Sequence, residues 1–251
     1  MSGLVRLVEF DEIDSTNAEA KRLAAKGDFG PVWITAKTQS QGVGRRGREW
    51  VSQRGNLFAT GLYPVGGDAA SAARLSFVAA LAVYETIDYH MLAGHTQIKW
   101  PNDVLVGGKK VSGILLESGT QNDQRWIAVG IGINLVAEPK IDPDSVNTPV
   151  AALASLSSCM SSDFSTLVER LMQSFETWRQ VYEIDGFLAI RSAWLERAQG
   201  MGEGMGGPVT ARLPNQTITG TAIGLDADGA LEIKTTSGEL VRIHAGDVFF
   251  S

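Results

Sequence analysis

Between Gly200 and Pro208 the chain holds five glycines and a closing proline in nine residues. Such a run breaks helices and long strands, so a boundary between two parts of the fold is expected there. Ahead of the break, strand and helix patterns interleave. Val5–Ile13 alternates as a strand, and Thr16–Ala25 reads as a helix with a capping box at Thr16–Glu19 and a stop at Gly27. Val32–Lys37 and Asn56–Leu62 read as strands around a polar loop, 38–55. Ala69–Tyr89 is a long alanine-rich helix. Gln97–Trp100, Asp103–Val106, Lys110–Glu117 and Trp126–Leu135 are strands, with Gly107-Gly108 as a hairpin turn. A loop over Ala137–Pro149 precedes two helical stretches, Phe164–Glu183 and Gly186–Ala198. Beyond the break only short strands remain, near Val209–Leu213, Thr217–Leu225, Ala230–Thr235 and Leu240–His244. The expected class is α+β: a mixed sheet with flanking helices in residues 1–203, then a small β module in 204–251.

The 251 residues carry a net charge of -6, with 44% hydrophobic and 20% charged side chains. That is the composition of a packed soluble domain, and an acidic chain gains no counterion release on DNA. A single cysteine, Cys159, allows no internal disulfide and no cysteine metal site. With no secretory leader in the first residues, this fits a reducing cytoplasm. No apolar run long enough to span a membrane is evident. His90, His95 and His244 lack metal-ligand spacing.

Against this acidic background one segment stands out: Gly42-Val43-Gly44-Arg45-Arg46-Gly47-Arg48-Glu49-Trp50. Glycines let backbone N–H groups approach an anion, and guanidinium forks fit carboxylate and phosphate oxygens. The spacing of Gly42, Gly44 and Gly47 matches a dinucleotide fingerprint, but no apolar helix follows, so that assignment fails. Lys99-Trp100-Pro101-Asn102-Asp103, Lys110 ahead of Gly113-Ile114-Leu115, Asp14-Ser15-Thr16-Asn17 and Gly130-Ile131-Gly132-Ile133-Asn134 complete the set. Singly, each reads as an ordinary turn, hairpin end, cap or strand.

Together, in this order, they resemble the biotin protein ligases. The family loop Gly-Arg-Gly-Arg-Arg-Gly-Arg is matched at six of seven positions, and Lys-Trp-Pro-Asn-Asp is unbroken. The ending Ala245–Phe250 is similar to the family's C-terminal module, which implies an SH3-like β-barrel. The resemblance implies activation of biotin by ATP and Mg²⁺ to biotinyl-5′-AMP. Transfer to a lysine of the biotin carboxyl carrier domain of a carboxylase would follow.

It also implies site residues. Biotin would meet Ser15, Thr16, Asn17, Gln39, Gly42, Val43, Gly44, Arg45, Lys110, Gly113 and Leu115. ATP would meet Arg45, Arg48, Trp50, Lys99, Asn102, Asp103, Lys110 and Asn134, with Asp103 also taking Mg²⁺. Lys110, Arg45 and Arg48 would be catalytic. Hydroxyls and an amide at Ser15, Thr16 and Gln39 suit a cyclic urea, which offers two N–H donors and one carbonyl. Two anions, a carboxylate and an α-phosphate, approach only between cations.

Val43 departs from the family, which has a basic residue there; the backbone groups remain but the charge is lost. Residues 41–51 are expected to be mobile in the empty enzyme and to close over ligand, since the anhydride must be kept from water. Some relatives carry a DNA-binding helix-turn-helix ahead of this domain. Asp14 lies too near the start for one, so no operator-binding role is expected. A homodimer through a sheet edge is allowed by the resemblance. Two other readings stay open: a lipoate-type ligase on the same fold, whose members lack the glycine-arginine loop, and a protein that binds biotin or its adenylate without transferring it.

Overall fold

The computed structural model describes residues 5–89, 96–137, 139, 152, 164–202 and 205–250. Most of the 137–149 loop, together with His90, His95 and Cys159, lies outside them.

Seven strands form the main sheet: β1 (Arg6–Ile13), β2 (Val32–Gln39), β3 (Leu57–Pro64), β4 (Thr96–Lys99), β5 (Asp103–Val106), β6 (Lys109–Gln121) and β7 (Gln124–Ile133). Their order is β1-β2-β3-β7-β6-β5-β4. Only β1 and β2 run parallel, as a crossover through helix α1 (Thr16–Ala25) demands. The other neighbours are antiparallel. The β6–β7 hairpin runs further than the sequence suggests, because Asn122 and Asp123 both adopt positive φ (50° and 61°) and close a tight turn without glycine.

Helices cover the two faces unequally. On one side α2 (Ala69–Ala73), α3 (Leu75–Asp88) and α4 (Phe164–Leu195) bury a large core containing Trp33, Leu81, Phe175 and Trp194. The expected single helix over 69–89 is divided at Arg74. Ala70–Asp88 is, by length and composition, apolar enough to cross a membrane, with mean hydropathy 1.2, but 61% of that stretch is buried inside the fold. The sequence reading missed this because Arg74 and Glu85 interrupt the apolar run. α4 is broken where the sequence places a glycine: Gly186 has φ 75°, outside helical space.

On the other side α1 is the one helix among the described residues, burying Ala20 and Ala24 on Val32, Ile34, Leu62 and Ala128. Ten residues cannot cover seven strands, so among the described residues part of this face is open in front of the helix N-terminus. The cap sits one residue earlier than the sequence suggests. Ser15 is the N-cap, its Oγ accepting from Ala18 N at 3.4 Å, and Thr16 becomes the first helical residue with its hydroxyl free of capping duty. At the other end Gly27 (φ 84°) closes the helix, with Asp28 N donating to Leu23 O and Gly27 N to Ala24 O.

The C-terminal part is a five-stranded antiparallel sheet of β10 (Pro208–Arg212), β11 (Thr217–Leu225), β12 (Leu231–Thr235), β13 (Leu240–Ile243) and β14 (Asp247–Phe250), ordered β13-β12-β11-β10-β14. The small ribbon of β8 (Met201–Gly202) and β9 (Met205–Gly206) leads into it. The expected barrel is not closed: among the described residues β13 and β14 remain edges, because the sheet docks onto the main core instead of curling on itself. Val209, Ala211, Leu231 and Val248 join the same apolar cluster as Trp100 and Phe187, and Trp100 Nε1 donates to Gly229 O at 3.1 Å.

The start of α1 is held by charge. Arg22 forks onto both oxygens of Asp14 at 2.8 Å, and Asp14 Oδ1 accepts from Ser15 N at 2.7 Å. Chiefly through Arg22, the Asp14 carboxyl is lowered to about 2 from an ordinary 3.8. A depressed carboxyl stabilises the fold above its unfolded value and ceases to as it protonates. Arg22→Ala should therefore be less stable than the parent above pH 3.8. The gap should narrow as pH falls through about 2, and denaturant melts at stepped pH check it.

Candidate functional site

The open face in front of α1 is a cleft of about 200 Å³. Its floor is made of glycines. In the β6–β7 ladder Gly113 lies opposite Gly132, and Leu115 opposite Gly130. The glycines are required by what lies on them. A Cβ at Gly132 would sit 2.4 Å from the Trp50 indole, and one at Gly130 would sit 2.3 Å from Asn17 Oδ1. The loop thus lays Trp50 on the strands as one wall, with its Nε1 buried and without a hydrogen-bond partner among the described residues.

One end of the cleft is neutral and polar. Ser15, Thr16 and Asn17 are buried at the start of α1. Gln39 closes the group from β2: its Oε1 accepts from Thr16 N (2.8 Å), and its Nε2 donates to Ser52 Oγ (3.0 Å). Because Ser15 Oγ accepts as the cap, its own proton is left to donate to a ligand.

The other end is cationic. Lys110 would face away from Gly113 in a regular strand, since side chains alternate. A bulge opposite Val104/Leu105 inserts one residue, so Lys110 pairs Leu105 and returns to the cleft. Its Nζ lies 2.7 Å from Asp103 Oδ1 and 5.5 Å from the Trp50 ring centroid. Asn102 is pinned to β6, donating to Ile114 O at 2.9 Å, and its Oδ1 accepts from Arg45 Nη1 at 2.9 Å. Burial pushes the Arg45 guanidinium and the Lys99 ammonium below their ordinary values, with nearby Asp103 opposing both. Asn134, at the end of β7, also lines the cleft.

The loop that carries Arg45 is a small hairpin. Gly44 N donates to Arg48 O (2.7 Å) and Trp50 N to Gly42 O (2.9 Å). Arg46 adopts positive φ (59°) and is exposed. Arg46 and Arg48 both reach Asp247 Oδ2, at 3.0 and 2.8 Å, so the C-terminal sheet holds the hairpin over the cleft.

All the residues that the sequence points to line this cleft except Gly42, which sits at the hairpin base, where a Cβ would strike Trp50 O and Ser52 Oγ. Val43 lines it and is half exposed. Sequence reasoning assigned no role to Asp247 or Thr60. Asp247 becomes visible only once two distant segments pack. Thr60 is an unremarkable strand residue until the β3–β7 register sets it opposite Gly130.

Comparison with known proteins matches this geometry to a family. Residues 10–134 match the biotin/lipoate A/B protein ligase family, and residues 205–251 match the biotin protein ligase C-terminal domain. The chain is 41% identical over 242 residues to a biotin–[acetyl-CoA-carboxylase] ligase of Paracoccus denitrificans, covering 94% of this chain and 97% of that one. The chain belongs to the biotin protein ligases. This ligase is also 32% identical to a bifunctional ligase/repressor of Bacillus subtilis, over 96% of its own length and 73% of the relative's. Its fold matches that of the biotin protein ligase of Aquifex aeolicus, solved in complex with biotin and ATP, with a TM-score of 0.78 at 24% identity, over 98% and 99% of the two chains.

Among the described residues no three His, Cys, Asp or Glu side chains gather to cage a metal. The ligase does offer the Asp103 carboxylate beside its cationic cluster. One carboxylate with phosphate and water oxygens is a normal magnesium environment, so the residues fit a metal that arrives with a nucleotide.

Asp247→Asn should free the hairpin. Exposed ion pairs contribute about 0.2–1 kcal/mol each, and two are lost, so the amides of Gly44 and Trp50 should exchange roughly two- to thirtyfold faster. Unchanged exchange would show that the hairpin holds itself.

Proposed function

We propose that this ligase joins biotin to AMP in the cleft and passes the biotinyl group to a lysine of a biotin carboxyl carrier domain. The observation that supports this most is the polarity of the cleft. A neutral hydrogen-bonding end and a cationic end are joined by a glycine floor, the order of parts in a molecule with a cyclic urea, an apolar ring and chain, and a carboxylate.

The urea carbonyl takes the Ser15 proton, and its N–H groups meet Thr16 and Gln39, with Asn17 behind them. The ring and chain lie along Gly113 and Leu115 beneath Trp50. The backbone of Val43 and Gly44, braced at Gly42, covers them. The carboxylate arrives at Lys110 and Arg45. ATP lies across Asn102, Asp103, Asn134 and Lys99, with Arg48 released from Asp247 to a phosphate.

A carboxylate oxygen attacks the α-phosphorus and the bond to the bridging oxygen breaks, releasing pyrophosphate. Lys110 and Arg45 offset the charge that accumulates between the two anions. An acceptor lysine amine then attacks the acyl carbon, AMP leaves, and the amine loses a proton. No protein nucleophile is needed; orientation supplies much of the rate. Asp103 would hold a magnesium ion arriving with the nucleotide, which would supply neutralisation of phosphate charge.

Incubation with biotin, ATP, Mg²⁺ and a carrier domain should add one biotinyl group to the carrier by mass; a lipoyl adduct, or none, contradicts the reading. Lys110→Ala should keep biotin binding and lose adenylation by about 100-fold or more, the scale of one transition-state donor. Biotin-dependent ATP–pyrophosphate exchange measures it, and parental exchange would remove Lys110 from its role. Val43→Arg should tighten biotin binding in calorimetry; unchanged affinity would show that the backbone alone matters there.

A further inference from the structure

Arg212 stands beside the cleft on β10, directly opposite Asp247 of β14 in the strand register. Residues that face one another in a ladder share a sheet face, and Phe249, two positions further along β14, shares it too. Val209, Ala211 and Val248 alternate onto the other face, which is buried in the core. Arg212 does not pair with Asp247. Its guanidinium lies over the Phe249 ring, 4.6 Å from the centroid. That stack carries it from β10 onto β14, the strand whose Asp247 and Val248 line the cleft. Lys99, also in the cleft lining, lies 5.9 Å from the same centroid. Arg212 is exposed, and among the described residues its guanidinium has no hydrogen bond or ion pair.

The geometry points to Arg212 as a binding residue for the outer phosphates of ATP, and so for the pyrophosphate that leaves. This rests on the reading that ATP occupies the cationic end of the cleft. Arg48 and Arg46 are held 2.8 and 3.0 Å from Asp247 Oδ2. A phosphate that draws Arg48 away comes close to that carboxylate. Arg212 springs from the position opposite and has the longer side chain, so the same place lies within its reach. Asp247 is also close enough to Arg45 and Lys99 to favour their charged forms. The cations of the cleft and Arg212 therefore lie around one carboxylate. Arg45 and Lys110 serve the biotin carboxylate and the α-phosphate, which leaves the two phosphates beyond short of partners. Arg212 offers them a planar fork whose N–H donors are unused among the described residues, oriented by the Phe249 ring. A different use of the same position is to take over Asp247 once Arg48 has left. The two uses separate when the Asp247 charge is removed.

The test measures three constants in the parent and in Arg212→Gln. They are KM for ATP, KM for pyrophosphate in the reverse reaction from biotinyl-5′-AMP, and Kd for biotinyl-5′-AMP by calorimetry. The adenylate carries the α-phosphate but not the outer two. Arg212→Gln should raise both KM values about tenfold, the scale of one charge-assisted hydrogen bond, and leave the adenylate Kd at the parental value. Arg212→Lys, which keeps the charge, should lose less. The rise should persist when Arg212→Gln is made in Asp247→Asn and compared with Asp247→Asn alone. Unchanged KM values, or an equal loss of affinity for the adenylate, overturn the assignment. A rise that vanishes in the Asp247→Asn background also overturns it, since Arg212 would then serve Asp247 and not the phosphates. A parent that forms no biotinyl-5′-AMP overturns the reading of the cleft and this inference with it.

Discussion

Like charges gathered in one place repel, and this fold gathers them on purpose. Arg45, Lys99 and Lys110 come from three separate stretches and line one end of a partly buried cleft. Burial already lowers the protonation constants of Arg45 and Lys99, which means the folded chain tolerates those charges at a cost. Two carboxylates make the arrangement tolerable. Asp103 takes the Lys110 ammonium, and Asp247 takes Arg46 and Arg48. A cluster built this way is poised for an anion, because phosphate and carboxylate oxygens can take the place of the carboxylates that now hold its cations, and the displaced carboxylates then need new partners. The overall acidity of the chain leaves this end of the cleft as a local exception.

The remaining structure serves to bring those charges to a neutral apolar floor. Among the described residues a short α1 leaves part of the sheet face uncovered, and paired glycines at 113 and 132 let Trp50 lie directly on the strands. The C-terminal sheet contributes in two ways. It shares the core of the larger part, through residues such as Val209 and Val248, and it presents Asp247 to the loop hairpin. A closed barrel would satisfy its own edges. The open sheet instead spends its apolar face on the neighbouring core, as a unit of about 45 residues must to be stable.

Much of this was legible in the chain. The glycine-arginine loop, the Lys99–Asp103 block and the glycine pair on β7 are local patterns, and a local pattern survives without knowledge of packing. The break at Gly186 and the stop at Gly27 were readable for the same reason: glycine is needed where φ is positive. What escaped depends on register. Lys110 faces the cleft only because of a bulge, which its hydrophobic pattern does not announce. The cap moved from Thr16 to Ser15 because either hydroxyl could serve, and contact with Gln39 and Thr60 decided between them. Asp247 lies about two hundred positions from the arginines it holds, beyond the reach of any window along the sequence.

The direct measurement is a crystal structure of this chain with biotinyl-5′-AMP bound. The account requires Lys110 and Arg45 within hydrogen-bonding distance of the acyl-phosphate oxygens, with the bicyclic ring against Ser15 and Thr16. An adenylate bound elsewhere, or one whose phosphate faces solvent while those cations keep Asp103 and Asn102 as their partners, would contradict it.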